Sequence, residues 1–97
     1  MPTFISLIKW TDQGIRTVRD TTRRQREALA QFEKMGIKTM GFYWTLGRYD
    51  GVFIGDAPDA ETVTAAALAI GSVGNVRTET LWAFTVEEME RVLAKIR

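Results

Sequence analysis

Ile37-Lys38-Thr39-Met40-Gly41-Phe42-Tyr43-Trp44-Thr45-Leu46 reads as a β-strand with apolar or aromatic residues on both of its sides. Strict alternation puts Met40, Phe42, Trp44 and Leu46 on one side, and Ile37, Thr39, Gly41, Tyr43 and Thr45 on the other. An antiparallel sheet with helices on one face and water on the other alternates apolar with polar residues, and this run does not. The first strand, Phe4 to Trp10, behaves alike: Phe4, Ile8 and Trp10 oppose Ile5 and Leu7. Both faces of the sheet therefore need cover. Helices supply one; a second copy of the same sheet is the economical source of the other, which predicts a homodimer. The competing way to hide that face is for the last helix to fold across it.

Outward from this strand the elements follow in order. Thr11-Asp12-Gln13-Gly14 is a turn, after which the period becomes helical. Ile15, Val18, Leu29, Phe32 and Met35 form one stripe of a helix that Gly36 closes. Gly47-Arg48-Tyr49-Asp50-Gly51 is a tight turn into a short third strand, Val52 to Gly55. Pro58-Asp59 opens a second helix, Ala60 to Ile70, ended by Gly71 and Gly74; its many alanines let it lie close to the sheet. Val76 to Phe84 is the fourth strand. Thr85 and Glu88 make a capping box for a last helix with Met89, Val92, Leu93 and Ile96 on its apolar stripe. The order is βαββαβ plus a C-terminal helix: an α+β, ferredoxin-like split βαβ arrangement, expected as one domain over residues 1–97.

Composition removes several chemistries. With no cysteine and no histidine there is no disulfide, no Cys nucleophile, no thiolate or imidazole metal ligand and no histidine base. No carboxylate cluster has metal-loop spacing, so neither a metal nor a cofactor is expected. Thirteen Lys and Arg against twelve Asp and Glu leave a net charge of +1, which points to neither nucleic acid nor membrane. The first ten residues lack the features of a signal peptide, and no apolar run reaches the roughly 20 residues of a membrane span, so a soluble cytoplasmic protein is expected. A chain of this length hides only roughly 65% of its unfolded surface, which makes dimerisation a natural source of stability.

Leu46-Gly47-Arg48-Tyr49-Asp50 with Val52, then Ala57-Pro58-Asp59, then Gly74-Asn75-Val76-Arg77-Thr78 and Thr80-Leu81 resemble the GYD-domain family, and Trp10-Thr11-Asp12-Gln13-Gly14 agrees with it. The resemblance covers essentially the whole chain. It implies the dimeric α+β barrel superfamily, in which two ferredoxin-like protomers set their sheets back to back and small molecules bind between helices and sheet. It also implies fold far more than chemistry, since members are largely of unassigned function.

Candidate site residues come from several places. Thr22 and Gln25 fall on the inward stripe of the first helix where apolar residues belong; they border a pocket, or the helix turns them to solvent. In the Gly-Arg-Tyr-Asp turn, Asp50 can serve as a general base and Tyr49 as a donor to an oxyanion, or both can simply build the turn. Arg77 and Glu79 share one side of strand four, for an anion or for pairing at a dimer seam, with Lys9 as a possible third member. Trp10 and Trp44, among ten aromatics, can wall a flat ligand or pack in the core. Arg16, Arg19, Arg23 and Arg26 form a basic helical stripe, and Arg16–Asp20, Asp20–Arg24 and Arg23–Glu27 pairs make it a self-paired solvated face.

Two functions follow. The first is a small-molecule-binding or accessory homodimer (or a multiple of dimers) with no chemistry of its own. The second is a cofactor-independent enzyme, monooxygenase- or isomerase-like, acting on a small enolisable or aromatic compound, with Asp50 as base. Absence of histidine favours the first.

Overall fold

The computed structural model describes residues 1–97. Strands β1 (Thr3–Trp10), β2 (Lys38–Trp44), β3 (Gly51–Asp56) and β4 (Val76–Ala83) form one sheet in the order β2-β3-β1-β4, with every neighbouring pair antiparallel. Helices α1 (Asp12–Arg16), α2 (Thr21–Lys34) and α3 (Ala60–Val73) lie between strands, and α4 (Val86–Leu93) follows the last one. This is the expected ferredoxin-like α+β arrangement. No helix is long and apolar enough to cross a membrane.

The core is an aromatic wedge. Phe53 on β3 meets Phe4 of β1 at 5.4 Å between ring centroids and Phe32 of α2 at 5.5 Å, the latter edge-on at 77°. Ile37, Ala57, Val63 and Ala66 complete the buried cluster. α2 brings Leu29 and Phe32 to it, with Met35 just past its end, and α3 brings Val63, Ala66 and Ile70.

Two sequence expectations needed correction. The stripe from Ile15 to Met35 is not one helix. Thr17 leaves the helical region (φ −111°, ψ 32°), and a 3₁₀ turn at Val18–Asp20 intervenes before α2. The Thr17 hydroxyl donates to the Gln13 carbonyl at 3.3 Å and accepts from Arg24 at 2.6 Å, which fixes the break and leaves Ile15 exposed. The second correction lies in β2. A bulge at Met40, between the pairs Thr39↔Gly55 and Gly41↔Ile54, advances the alternation by one residue. Ile37, assigned by strict alternation to the side opposite Phe42, is therefore buried with it under α2, and Met40 is pushed out to solvent. A smaller revision concerns Gly71, which stays inside α3; the helix runs on to Val73 and ends at Gly74, whose φ of +93° suits glycine.

The opposite face of the sheet is bare. Ile5, Leu7, Val52 and Ile54 lie there half-buried, with Tyr43 and Leu81 exposed. The last helix does not fold across it: none of the residues of α4 is buried.

The Trp-Thr-Asp-Gln-Gly segment forms a clasp on the turn between α3 and β4. The Thr11 amide donates to the Asn75 carbonyl at 3.1 Å, and the Thr11 hydroxyl donates to Gly74 O and caps α1 by accepting from Gly14 N. Gln13 Nε2 donates to Val73 O at 3.1 Å and to Asn75 Oδ1 at 3.0 Å. Gly14 is buried against this turn so tightly that a Cβ would stand 1.9 Å from Asn75 O. Gly14→Ala is accordingly expected to destabilise the fold by about 3 kcal/mol, the upper end for forcing volume into packed backbone. Gly71→Ala, where the nearest atom to a new Cβ is Arg77 Nη1 at 4.0 Å, is expected to stabilise by about 0.5–1 kcal/mol. Thermal denaturation of the two variants tests the pair of signs. The Thr85–Glu88 capping box is present as well, and the Thr85 amide holds the Glu88 carboxyl below the ordinary glutamate value. A depressed folded pKa means that this contribution to α4 is complete above the ordinary glutamate pKa and is lost as pH falls through the lowered value. A carboxyl-carbon NMR titration should find the Glu88 midpoint below that of a glutamate peptide, and Thr85→Ala, which loses the hydroxyl but keeps the amide, should move it only part of the way back.

Candidate functional site

α2 and α3 diverge over the middle of the sheet and leave a cavity of about 560 Å³ between them, within the ordinary range for small-molecule sites. Its floor is the helix-side face of the two central strands: Phe4, Ser6 and Ile8 of β1 and Phe53 of β3. α2 contributes Gln25, Ala28, Leu29 and Phe32 as one wall, and α3 contributes Val63, Ala66, Ile70 and Val73 as the other. Of the alanines foreseen as a close-packing surface, Ala66 packs into the core, and Ala67 beside it borders the open space. Trp10, Trp44, Asp50 and Asn75 gather where β1 and β2 end and β3 and β4 begin.

Trp44 is held in place at both ends. Its indole packs edge-on to Phe42, with centroids 4.8 Å apart, and its Nε1 donates to Thr21 Oγ1 at 3.0 Å. That bond seats the first residue of α2 over the edge of β2. Thr21 thereby takes the place expected for Thr22, which points to solvent outside the cavity lining. At 100° per residue Thr21 falls near the centre of the face that Gln25, Ala28, Leu29 and Phe32 turn to the cavity, and Thr22 falls at its margin. Gln25 does line the cavity.

Asp50 lines the same end and is also part of the frame. Its amide donates to Ile8 O at 2.7 Å, its carbonyl accepts from Thr45 N at 3.0 Å, and its Oδ2 accepts from Trp10 N at 2.8 Å. The carboxylate thus stands in for a strand partner just beyond the last β1–β3 pair, Ile8↔Gly51. Tyr49 goes the other way. Its hydroxyl donates to Glu79 Oε2 at 3.1 Å, among the residues of the bare sheet face, with the Arg48 guanidinium 5.8 Å from its ring centroid. Adjacent in sequence, Asp50 and Tyr49 serve opposite faces of the sheet.

Arg77 is opposite Lys9 in the register and outside the cavity, whereas its neighbours Val76 and Thr78 line it. Glu79 is engaged by Tyr49 instead of by Arg77. On α2, Arg23 pairs with Glu27 at 3.0 Å and with Asp20 at 3.5 Å, all of them exposed. Arg24 turns inward and donates to Thr17 Oγ1 and to Gly14 O at 3.2 Å, joining α2 to the clasp. No group of three carboxylates is placed to hold a metal ion.

Sequence reasoning passed over Ser6, Thr21, Asn75 and Thr78, all in the lining. Ser6 carried a usable signal: a small polar residue between Phe4 and Ile8 on the inward side of a strand. Thr21 shares a helical face with Gln25 and Phe32 and was legible there, whereas Asn75 carried no signal, because a turn geometry places it.

The chain matches the GYD domain over residues 4–93. It is also 39% identical over 90 residues to the glutamine synthetase and cystathionine beta-lyase binding protein of Thermus thermophilus, an alignment covering 92% of this chain and 95% of that one. No solved structure matches the chain. The matched span runs from the first core phenylalanine, Phe4, to the end of α4 and takes in the clasp, the turn that carries Asp50, and the cavity between them: the chain belongs to the GYD-domain family.

Proposed function

We propose that this chain is a cytoplasmic accessory protein that binds a small, largely apolar, uncharged molecule in the cleft between α2 and α3 and pairs with a second copy through the bare face of its sheet. The cleft is the observation that carries this reading. It lies where a chain of this length would set its core, and only ten of the 97 residues are buried. A ligand in the cleft would supply the missing apolar contacts, so occupancy and stability would rise together. Neutral polar groups in the lining, among them Ser6, Gln25 and Thr78, can orient it, with the Trp10 and Trp44 rings at one end. The charged groups of the lining, Arg23, Arg24, Glu27 and Asp50, already have partners within the fold, which favours an uncharged ligand over an anion.

The separation of Asp50 and Tyr49 counts against the catalytic alternative, because base and oxyanion donor would have to face one substrate. The relative that is named for binding two enzymes supports the accessory role. On this reading the protein serves a metabolic enzyme as a binding partner. Ile5, Leu7, Val52 and Ile54, with Tyr43 and Leu81, support the sheet pairing, since apolar residues in that number on one open face favour burial by a like surface.

Native mass spectrometry of gently purified protein tests the reading as a whole. A dimer or a multiple of dimers, carrying mass that departs on denaturation, is expected; a bare monomer at micromolar concentration would overturn it. Ser6→Leu then addresses the cleft. A leucine on the floor should fill space and raise stability by about 0.5–2 kcal/mol. The same change should weaken binding of the neutral fluorophore N-phenyl-1-naphthylamine at least tenfold. Asp50→Asn, which keeps an acceptor for Trp10 N, should leave that binding within about twofold, a difference below roughly 0.5 kcal/mol.

A further inference from the structure

α4 stands apart from the rest of the molecule. It has no buried residue, and Met89, Val92, Leu93 and Ile96 are 44%, 36%, 51% and 70% exposed along one stripe. The radius of gyration, 14.6 Å, exceeds the value of about 12.5 Å typical of a compact chain of this length. The capping box nevertheless specifies where the helix starts, and the turn bonds Ala94 N to Glu90 O, Lys95 N to Val92 O and Ile96 N to Leu93 O carry it on to Ile96. A well-specified helix with an uncovered apolar stripe has a partner surface still to meet.

Its charges indicate which. Glu87, Glu88 and Glu90 occupy the first half, and Arg91, Lys95 and Arg97 the second. At 100° per residue, Glu88 and, on the closing turn, Lys95 flank the apolar stripe on the same side. A two-fold axis beside the Val92–Leu93 step would set Met89 against Ile96 of a second copy and Val92 against its Leu93. The same axis lays Glu88 of each copy beside Lys95 of the other on matching flanks. An acidic group of one helix then meets a basic group of the other at both ends of the seam, as an isologous contact requires.

We propose that α4 is a self-association arm that packs antiparallel against the α4 of a second copy, with Val92 and Leu93 at the two-fold axis. The contact is separate from the sheet face. Where the sheets also pair, two helices per dimer let it join dimers into larger assemblies.

The chain has no cysteine, so one introduced thiol reports the contact cleanly. Val92→Cys should form a disulfide-linked dimer in mild oxidant in high yield. Arg91→Cys, on the outward side of the same helix, should yield at least tenfold less. Adding Glu88→Lys to Val92→Cys should slow cross-linking at least tenfold, and adding Lys95→Glu to that variant should restore the rate. Equal yields from the two cysteine variants, or a rate indifferent to the charge changes, would overturn the proposal, including the case in which α4 serves a different protein. Because the readout is a covalent bond at residue 92, it stands or falls independently of the sheet pairing and of the ligand.

Discussion

The contact between Gly14 and the Asn75 carbonyl sets the geometry of everything above the sheet. α2 and α3 are not zipped to each other along their length; they are tied together at one end through α1. Thr11 and Gln13 bind Val73, Gly74 and Asn75 at the end of α3, and Arg24 of α2 reaches back to Gly14 O. A side chain at position 14 would lift α1 off the turn and release both helices at once. Beyond that tie the helices follow their own strands, and space opens between them. The cavity is therefore a product of how the helices are joined. Extra bulk on α3 would have closed it, yet the facing positions there include Ala66 and Ala67.

The fold was legible in the sequence because it rests on periodicity and on end signals, both of which are local. The two-residue period of β1, the glycine at the end of each long helix and the Thr85–Glu88 capping box each act within a few residues. What could not be read depends on a single residue stepping out of phase. Met40 bulges, and every assignment N-terminal to it in β2 changes face, Ile37 among them. Thr17 leaves the helix, and Ile15, read as the first member of the inward stripe, is exposed. Neither residue type announces such behaviour. The bulge depends on the register with β3, and the break depends on an arginine seven residues away.

The same logic governs the candidate site. Residues assigned to the cleft from their place on a strand, Trp10 and Trp44, are there, as is Gln25. The pair assigned by adjacency, Tyr49 and Asp50, divides between faces, because the turn sends the Asp50 carboxylate to Trp10 N and the Tyr49 hydroxyl to Glu79. Arg77 is carried away from the cleft by strand parity, with Val76 and Thr78 turned toward it. The Gly-Arg-Tyr-Asp turn is thus a junction: one residue ends a ladder on the cleft side and its neighbour anchors Glu79 on the other.

The bulge at Met40 has a further effect. β2 and β4 are the free edges of the sheet, and an unprotected edge is a template on which any extended chain can add as a further strand. An irregular edge with a residue out of register breaks the evenly spaced run of donors and acceptors that such an intruder would need, and Lys38 adds a charge beside it. In a crowded cell this chain is protected along β2 from open-ended stacking into fibrils, even while broad apolar surfaces elsewhere remain uncovered. Growth along the hydrogen-bonding direction is discouraged at that edge.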